Sequence, residues 1–383
     1  MASQPLANPG PARFESRDTS RNTVDPCQHS EFAVPGFRSW TTLRHLLRVF
    51  TLAVMAVASL GIVLLSEARA ETVRLLLDRP IDGTAAPLAQ AIDSGLFRAE
   101  NLAVNLETPN GAADVLARLA NGDGEFALVD INALMRYRDQ QSAAEIKAIY
   151  ILMNDSGYAI IARRNRGIQH LADLAGKTLG FAETDMSIKF WPALTRIKKI
   201  APETVKLEAI GAAVREPMLS AGQVDAVTGL AYLSPINLRD RGIPADDLAL
   251  FPFSNYGIRA YGHAFVVNPK YAAEHPDSVR GFLRAINAAL RATIRSPDKA
   301  IDDVMQRITT SRRDIELQRL HSVLRHNIVT DEVKAHGLGG IDIARFSVAI
   351  DQMAEGFKFR KKPTPEMIFD GTFLPPAASR HLH

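Results

Sequence analysis

Polar side chains recur at the ends of predicted strands, where an α/β sheet usually binds small molecules. In the first half of the chain these loops hold Asp78, Arg79, Asp82, Thr84, Asn110, Gly111, Asp130 and Asn132. In the second half they hold Thr184, Asp185, Ser187 and Tyr232. Because open α/β sheets bind ligands in a crevice at the carboxyl ends of their strands, the two groups predict two halves of one site for a small organic solute.

Four further candidates lie where the chain is expected to pass between the two halves: Asn154, Tyr158, Asn255 and Tyr256. Several of the site candidates also have a purely structural interpretation. Asp130, Asp185 and Ser187 are residue types that dominate helix N-caps, and Asp78 is typical of a turn. Arg79 can bind an anion bidentately or pair with a neighbouring carboxylate. The residues alone leave both interpretations open.

The chemical class of the solute is also open. Helix N-termini that face a cleft favour anions such as sulfonate or carboxylate. Acidic residues nevertheless outnumber basic ones in the candidate loops, which favours a solute with hydrogen-bond donors, such as an aminopyrimidine-like heterocycle. Trp191 can stack on a planar ligand, although its position at the start of a predicted helix is more typical of packing within a lobe.

The elements that must position these residues alternate between short aliphatic runs and helical patterns, which predicts an α/β protein with largely parallel sheets. A lobe inserted within another lobe, with crossings near 154–160 and 256–264, is the simplest topology. We expect residues 71–157 and 261–383 in the first lobe and 158–260 in the second. Predicted strands cover 72–78, 102–107, 126–129, 158–162, 178–181, 205–209, 226–229, 248–251 and 264–267, and late helices cover 271–296, 297–307, 313–325 and 343–355.

The N-terminal region carries an export signal. Arg44 and Arg48 precede an apolar run over 49–65, and Ala68-Arg69-Ala70 forms a small-x-small cleavage site. This pattern predicts a disordered extension over 1–43, a signal peptide over 44–70 cleaved after Ala70, and a periplasmic product. An uncleaved anchor helix is the alternative, since the run approaches the length that spans a bilayer.

Composition argues against several function classes. The chain has 383 residues, 46% of them apolar, and a formal net charge of +3. It lacks the basic stripe that a nucleic-acid-binding protein normally shows. No zinc-protease, nucleophile-elbow or phosphate-loop motif occurs, and the only cysteine, Cys27, precedes the predicted cleavage point. The sequence therefore predicts a protein that is no enzyme and has no cofactor or metal site.

Motifs spread over most of the exported part resemble those of one family. They include Asp78-Arg79-Pro80, Asp93-Ser94-Gly95-Leu96-Phe97, Pro109-Asn110-Gly111-Ala112-Ala113-Asp114, Asp173-Leu174-Ala175-Gly176-Lys177, Arg215-Glu216-Pro217-Met218-Leu219, Gly222-Gln223-Val224-Asp225-Ala226 and Phe373-Leu374-Pro375. In this order they resemble periplasmic solute-binding proteins of ABC importers, in the branch related to thiamine-pyrimidine-precursor, sulfonate, taurine and nitrate binding proteins.

The resemblance implies a type II periplasmic-binding-protein fold, with two α/β lobes and two hinge crossovers. It also implies a monomeric substrate-binding component that captures a small organic solute by lobe closure and delivers it to an ABC permease and, through it, an ATPase. One alternative is the ligand-sensing domain of a membrane-tethered receptor, which an uncleaved segment 49–65 would support. Another is a pyrimidine-synthesis enzyme of the same fold, but the related fungal family uses a cysteine-rich motif for iron that the exported part lacks.

Overall fold

The computed structural model describes Thr51 and residues 70–141 and 144–382. The predicted extension 1–43 and nearly all of the predicted signal peptide 44–70 lie outside the described residues, so both stay predictions. The chain divides into two compact units, Met1–Glu67 and Ala68–His383. All elements described below belong to the second unit.

Ten strands form two five-stranded sheets. The strands are β1 (Glu71–Leu77), β2 (Leu102–Glu107), β3 (Phe126–Asp130), β4 (Lys147–Ile151), β5 (Tyr158–Arg163), β6 (Thr178–Phe181), β7 (Lys206–Ala209), β8 (Ala226–Leu230), β9 (Leu248–Pro252) and β10 (His263–Val267). The first sheet has the order β2-β1-β3-β10-β4 and the second the order β7-β6-β8-β5-β9. The first lobe is the part of this unit built on the first sheet, and the second lobe is the part built on the second.

Helices cover the faces of both sheets. Those of the first lobe that precede the second lobe are α1 (Ala86–Asp93), α2 (Leu96–Ala99), α3 (Gly111–Asn121) and α4 (Ile131–Gln140). Those of the second lobe are α5 (Trp191–Lys198), α6 (Arg215–Ala221) and α7 (Ser234–Asp240). The later helices are α8 (Pro269–Glu274), α9 (Pro276–Arg295), α10 (Pro297–Met305), α11 (Arg313–Val323), α12 (Asp331–His336), α13 (Ile343–Ala354), α14 (Pro365–Ile368) and α15 (Ala377–Arg380).

Packing of α9 illustrates why these segments fold as they do. Its buried residues recur at helical spacing, as in Val279, Phe282 and Ile286, and this spacing places them on one face of the helix. The Phe282 ring stacks on Phe126 of β3, with ring centroids 3.9 Å apart. The helix thus covers the first sheet and fixes the strands whose ends carry the candidate site.

The chain crosses between the lobes twice, as the fold prediction requires. It leaves the first sheet after Ile151, enters the second at Tyr158, and returns between Pro252 and His263. Because β10 runs antiparallel to β3 and β4, and β5 runs antiparallel to β8 and β9, both sheets are mixed. The expectation of largely parallel sheets was wrong for these return strands. The exact lobe boundaries stay predictions.

Two elements differ from those expected. Strand β4 was not predicted; it is a short edge strand that pairs with β10. The helix expected over 271–296 is two helices, α8 and α9, because Pro276 occupies the first turn of α9, where a residue without an N–H is tolerated but cannot continue a preceding helix. Within the described part of the chain, no helix combines the length and apolar character needed to cross a membrane.

Candidate functional site

A set of polar contacts joins the two lobes and is extended within the second lobe by the electrostatic interaction of Asp185 with Tyr158. We call it the interlobe network. The first lobe contributes Asp78, Arg79, Asp130, Asn132 and His263, and the second lobe contributes Tyr158, Asp185, Ser187, Arg215, Thr228 and Tyr232. Asp78, Asp130, Tyr158 and His263 lie at strand ends and Thr228 lies within β8, so the sheets position these residues.

The first part of the network is held by the pairing of β3 with β10. This pairing places His263 opposite Asp130. The His263 Nε2 atom lies 3.1 Å from Asp78 Oδ2, and the Asp130 N–H donates to the same carboxylate over 3.2 Å. Burial raises the pKa of Asp78, but His263 and Arg79 lower it by more, so the pKa ends below its ordinary value. Asp78 is therefore held as a carboxylate at the end of β1.

Arg79 links the lobes. Its Nη2 atom lies 2.9 Å from the Tyr232 hydroxyl and 2.9 Å from His263 Nε2, and its guanidinium carbon lies 5.7 Å from the centre of the Tyr232 ring. Tyr232 is fully buried, and burial raises its pKa to about 12. Its hydroxyl is therefore protonated at neutral pH and accepts a charge-assisted hydrogen bond across the lobes.

A second link between the lobes starts at the first hinge crossing. The Tyr158 hydroxyl donates to Asp130 Oδ2, and the Asn132 amide nitrogen lies 3.0 Å from the same hydroxyl and 2.8 Å from Asp130 Oδ1. Burial raises the pKa of both Asp130 and Tyr158. Asp130 also caps α4 by accepting the Asn132 N–H over 2.8 Å. The capping interpretation is thus correct for Asp130, and the residue lies in the network as well.

Asp185 organises the second-lobe side. Its carboxylate accepts hydrogen bonds from Arg215 Nη1 over 2.5 Å, from Thr228 Oγ1 over 3.2 Å and from the Ser187 N–H over 3.0 Å. Its charge also contributes to the raised pKa of Tyr158. Asp185 therefore connects the loop after β6 to α6, to β8 and to the start of β5.

Four buried polar atoms in this region have no hydrogen-bond partner among the described residues: Asn132 Oδ1, Ser187 Oγ, Arg215 Nε and Trp191 Nε1. Trp191 follows Phe190, whose ring centre lies 5.8 Å from that of Tyr158. Buried polar groups are nearly always hydrogen-bonded in native proteins. The described residues thus leave two donors, one acceptor and one hydroxyl without partners in this region.

Other predicted site residues lie beside the network or apart from it. Asp82 Oδ1 accepts from the Thr84 N–H over 2.9 Å and from its hydroxyl, and the Asp82 charge acts on Arg79. Asn110 is exposed, and Gly111 follows it with a φ of +80°. Thr184 is exposed as well. A role for these residues in binding stays a prediction.

The three remaining candidates lie near the hinge. Asn154 accepts from Thr330 Oγ1 over 2.7 Å and donates to Glu332 over 2.9 Å, so it joins the first crossing to α12. Asn255 is exposed. The Tyr256 ring lies 5.0 Å from the Lys198 ammonium. The structure places all three outside the interlobe network.

Sequence reasoning missed three network residues, His263, Arg215 and Thr228. His263 opens the return strand, and an antiparallel pairing of that strand with β3 would have placed it opposite Asp130. Arg215 lies in one of the quoted family motifs, but no sequence pattern indicates that it pairs with Asp185. Thr228 lies within a predicted strand, where an inward hydroxyl cannot be told from an outward one.

The family model described as "NMT1/THI5 like" matches residues 83–300, which is more than half of the chain. The chain belongs to this family. This match, together with relatives named as binding proteins and the fold of sulfonate-binding proteins, confirms the resemblance to periplasmic solute-binding proteins.

Curated relatives of this NMT1/THI5-like chain include both binding proteins and enzymes. The riboflavin-binding protein RibY of Chloroflexus aurantiacus is 28% identical over 274 residues, which cover 67% of this chain and 73% of the relative. The formylaminopyrimidine-binding protein of Halalkalibacterium halodurans is 25% identical over 239 residues, covering 61% and 69%. The 4-amino-5-hydroxymethyl-2-methylpyrimidine phosphate synthase of Schizosaccharomyces pombe is 20% identical over 219 residues, covering 55% and 62%.

Solved structures share the fold. The periplasmic aliphatic sulphonate binding protein SsuA of Escherichia coli matches with a TM-score of 0.61 and 15% identity over 80% of this chain and 94% of that one. The periplasmic nitrate-binding protein NrtA of Synechocystis PCC 6803 matches with a TM-score of 0.56 and 11% identity over 79% and 87%. The predicted periplasmic-binding-protein fold of this NMT1/THI5-like protein is confirmed.

Proposed function

We propose that this protein is the substrate-binding component of an ABC importer in the periplasm, which captures a small organic solute between its lobes and delivers it to a membrane permease coupled to an ATPase. The observation that carries the proposal is the interlobe network. Its side chains come from both sheets, and two of its contacts, Arg79 to Tyr232 and Asp130 to Tyr158, join the lobes directly. A solute bound here is enclosed when the lobes close.

The buried atoms without partners support a solute that is hydrogen-bonded on both sides. Asn132 Oδ1 belongs to the first lobe, and Ser187 Oγ and Arg215 Nε belong to the second. Ligand sites typically combine a mostly apolar lining with a few placed polar groups that fix orientation. The Phe190, Trp191 and Tyr158 side chains provide apolar surface beside these atoms.

A binding experiment tests the proposal. The purified full-length protein is titrated by calorimetry with aminopyrimidines, flavins, sulfonates and aromatic carboxylates. We expect saturable binding of one of these classes of compound, because contacts from both lobes stabilise the complex of the solute with the closed form of the protein. The variant Asp185→Asn is expected to weaken this binding by about tenfold, because it removes the charge-assisted contact that holds Arg215, whose Nε atom lacks a partner.

The matched control is Asp123→Asn, which removes the same charge from an exposed turn of the first lobe. It should bind like the wild type. Equal affinities for Asp185→Asn and Asp123→Asn would place the solute outside the network and contradict the proposal.

The enzyme alternative has a specific observation in its favour, because several relatives are named as pyrimidine phosphate synthases. The binding-protein names of other relatives favour transport. The two functions differ in the fate of the solute. Mass spectrometry of the bound molecule after long incubation should recover it unchanged if the protein is a binding component, whereas a chemically altered molecule would support an enzyme.

A further inference from the structure

A cavity of about 540 Å³ lies between the lobes on the hinge side, next to the interlobe network, because its lining residue Gly157 packs against the Tyr232 ring. Asp155 and Gly157 of the first crossing line it. One wall comes from the second lobe and the other from α11 and the residues that follow it in the first lobe. None of the network residues lines it, but Asn255, a predicted site residue that the network does not include, does.

The two walls differ in chemistry. The second-lobe wall is largely apolar and is formed by Ala231, Pro235, Ile236, Leu250 and Pro252. The first-lobe wall is polar and rich in groups that carry or can carry positive charge, with Gln318, His321, Ser322, Arg325 and His326. A molecule with an apolar body and a negative group would match both walls at once.

The cationic side chains of the first-lobe wall are available. The side chains of Arg325, His321 and His326 are exposed, and none forms an ion pair or hydrogen bond in the described part of the chain, although His326 interacts electrostatically with Asp155. Arg239 of α7 adds a further guanidinium and donates to Gln318 over 2.8 Å. Among the described lining residues, Asp155 supplies the carboxylate, and its Oδ1 atom already accepts the Gly157 N–H over 2.7 Å.

The local backbone sets this wall apart from an ordinary helix surface. Helix α11 continues into a π-helical segment, Leu324–Ile328, and such segments are rare and concentrate at functional sites. The segment presents Arg325, His326 and Asn327 together to the cavity. Asn327 is buried, and its amide nitrogen donates to the Asp155 carbonyl over 3.2 Å, which fixes the wall to the hinge.

We propose that this cavity is a second small-molecule site, which binds an organic anion with an apolar body. Its volume lies within the range of about 300–1,000 Å³ that is usual for ligand pockets. Because its walls belong to different lobes, an occupant contacts both of them.

The test uses 1-naphthoate as the probe and 1-naphthamide as its neutral analogue. Both are titrated into the full-length protein at constant pH, and the imidazole NMR signals of His321 and His326 are followed, assigned through His321→Gln and His326→Gln. We expect saturable shifts of both signals with naphthoate. Naphthamide should bind about tenfold more weakly, which corresponds to about 1.4 kcal/mol.

Three variants locate the binding. Arg325→Ala should weaken naphthoate binding by about tenfold, and Ser322→Trp should abolish it by filling the cavity. The control Arg98→Ala removes an exposed first-lobe arginine whose side chain has no hydrogen-bond or ion-pair partner among the described residues, and it should have no effect. Absence of saturable shifts, equal binding of the two probes, or equal affinities of Arg325→Ala and Arg98→Ala would each overturn the proposal. Because these signals report on the hinge cavity alone, that result would leave the proposed solute site untouched.

Discussion

The contact between Arg79 and Tyr232 should control the balance between closed and open lobes. The variant Tyr232→Phe removes the hydroxyl that accepts from Arg79 Nη2. A hydrogen bond to a charged group contributes about 1.5–3 kcal/mol. The guanidinium keeps its contact with His263 and its position over the ring, so we expect the lower end, about 1.5 kcal/mol, or about a tenfold shift toward the open form.

Spin labels on the two lobes measure this shift. Cysteines replace Asp123 in the first lobe and Glu203 in the second, both exposed, and Cys27 is changed to serine so that only these two react. Pulsed electron resonance then gives the distribution of distances between the labels. Tyr232→Phe should move the distribution toward the open form.

The control variant is Tyr271→Phe. It makes the same chemical change, but its hydroxyl bonds Glu71 within the first lobe, over 3.0 Å. It should lower the free energy of unfolding without altering the distance distribution. Identical distributions for the wild type, Tyr232→Phe and Tyr271→Phe would refute the reasoning.

Three further predictions concern stability and processing. Although burial raises the pKa of Asp78, His263 and Arg79 lower it by more. The stability that this carboxylate contributes is therefore present above the pKa of the unfolded state, about 3.9, and is lost as the pH falls through the lower pKa of the folded state. Between about pH 2 and 5, the free energy of unfolding of Asp78→Asn should depend less on pH than that of the wild type. Gly157 has a φ of +71° and a Cβ there would lie 2.6 Å from the Tyr232 ring, whereas Gly167 has a φ of +76° and no atom near such a Cβ. In urea titrations, Gly167→Ala should lower the free energy of unfolding by about 1 kcal/mol and Gly157→Ala by about 1–3 kcal/mol more. Equal losses for the two variants would contradict this prediction. Mass spectrometry of the exported protein should find Glu71 at its N terminus, and an uncleaved chain would contradict the predicted processing.

The fold could be predicted from the sequence because its signals are local. Most strands begin and end within a residue or two of the predicted bounds, as for β1, expected over 72–78 and observed at Glu71–Leu77. Strand β4 was missed because a short apolar edge strand carries no periodicity that separates it from a buried loop. The return of β10 to the first sheet was predicted and is observed, but its antiparallel direction was not, because no local pattern encodes the direction of a strand.

The candidate site could be predicted only in part, because a strand end indicates an edge of the sheet but not the reach of a loop. Asp130 and Asp185 follow strands and lie in the network, whereas Asn110 also follows a strand and is exposed. Tyr158 of the second lobe contacts Asp130, whereas the hydrogen bond of Asn110 is to Asp114 in its own loop. His263 and Arg215 contribute through pairings between segments far apart in the chain, which single-sequence patterns do not contain.

The side chains of the network largely hydrogen-bond one another, and this constrains the solute. Arg79 and Asp185 already have hydrogen-bond partners. A bound solute therefore forms its most favourable hydrogen bonds with the atoms that lack partners. Those atoms include an acceptor, Asn132 Oδ1, and two donors, Trp191 Nε1 and Arg215 Nε. A sulfonate or nitrate offers acceptors alone and forms no hydrogen bond to the Asn132 oxygen, so it forgoes about 0.5–1.5 kcal/mol relative to a solute that donates to this atom. An aminated heterocycle presents both kinds of group on one edge. We therefore expect the protein to prefer such a heterocycle over a simple anion.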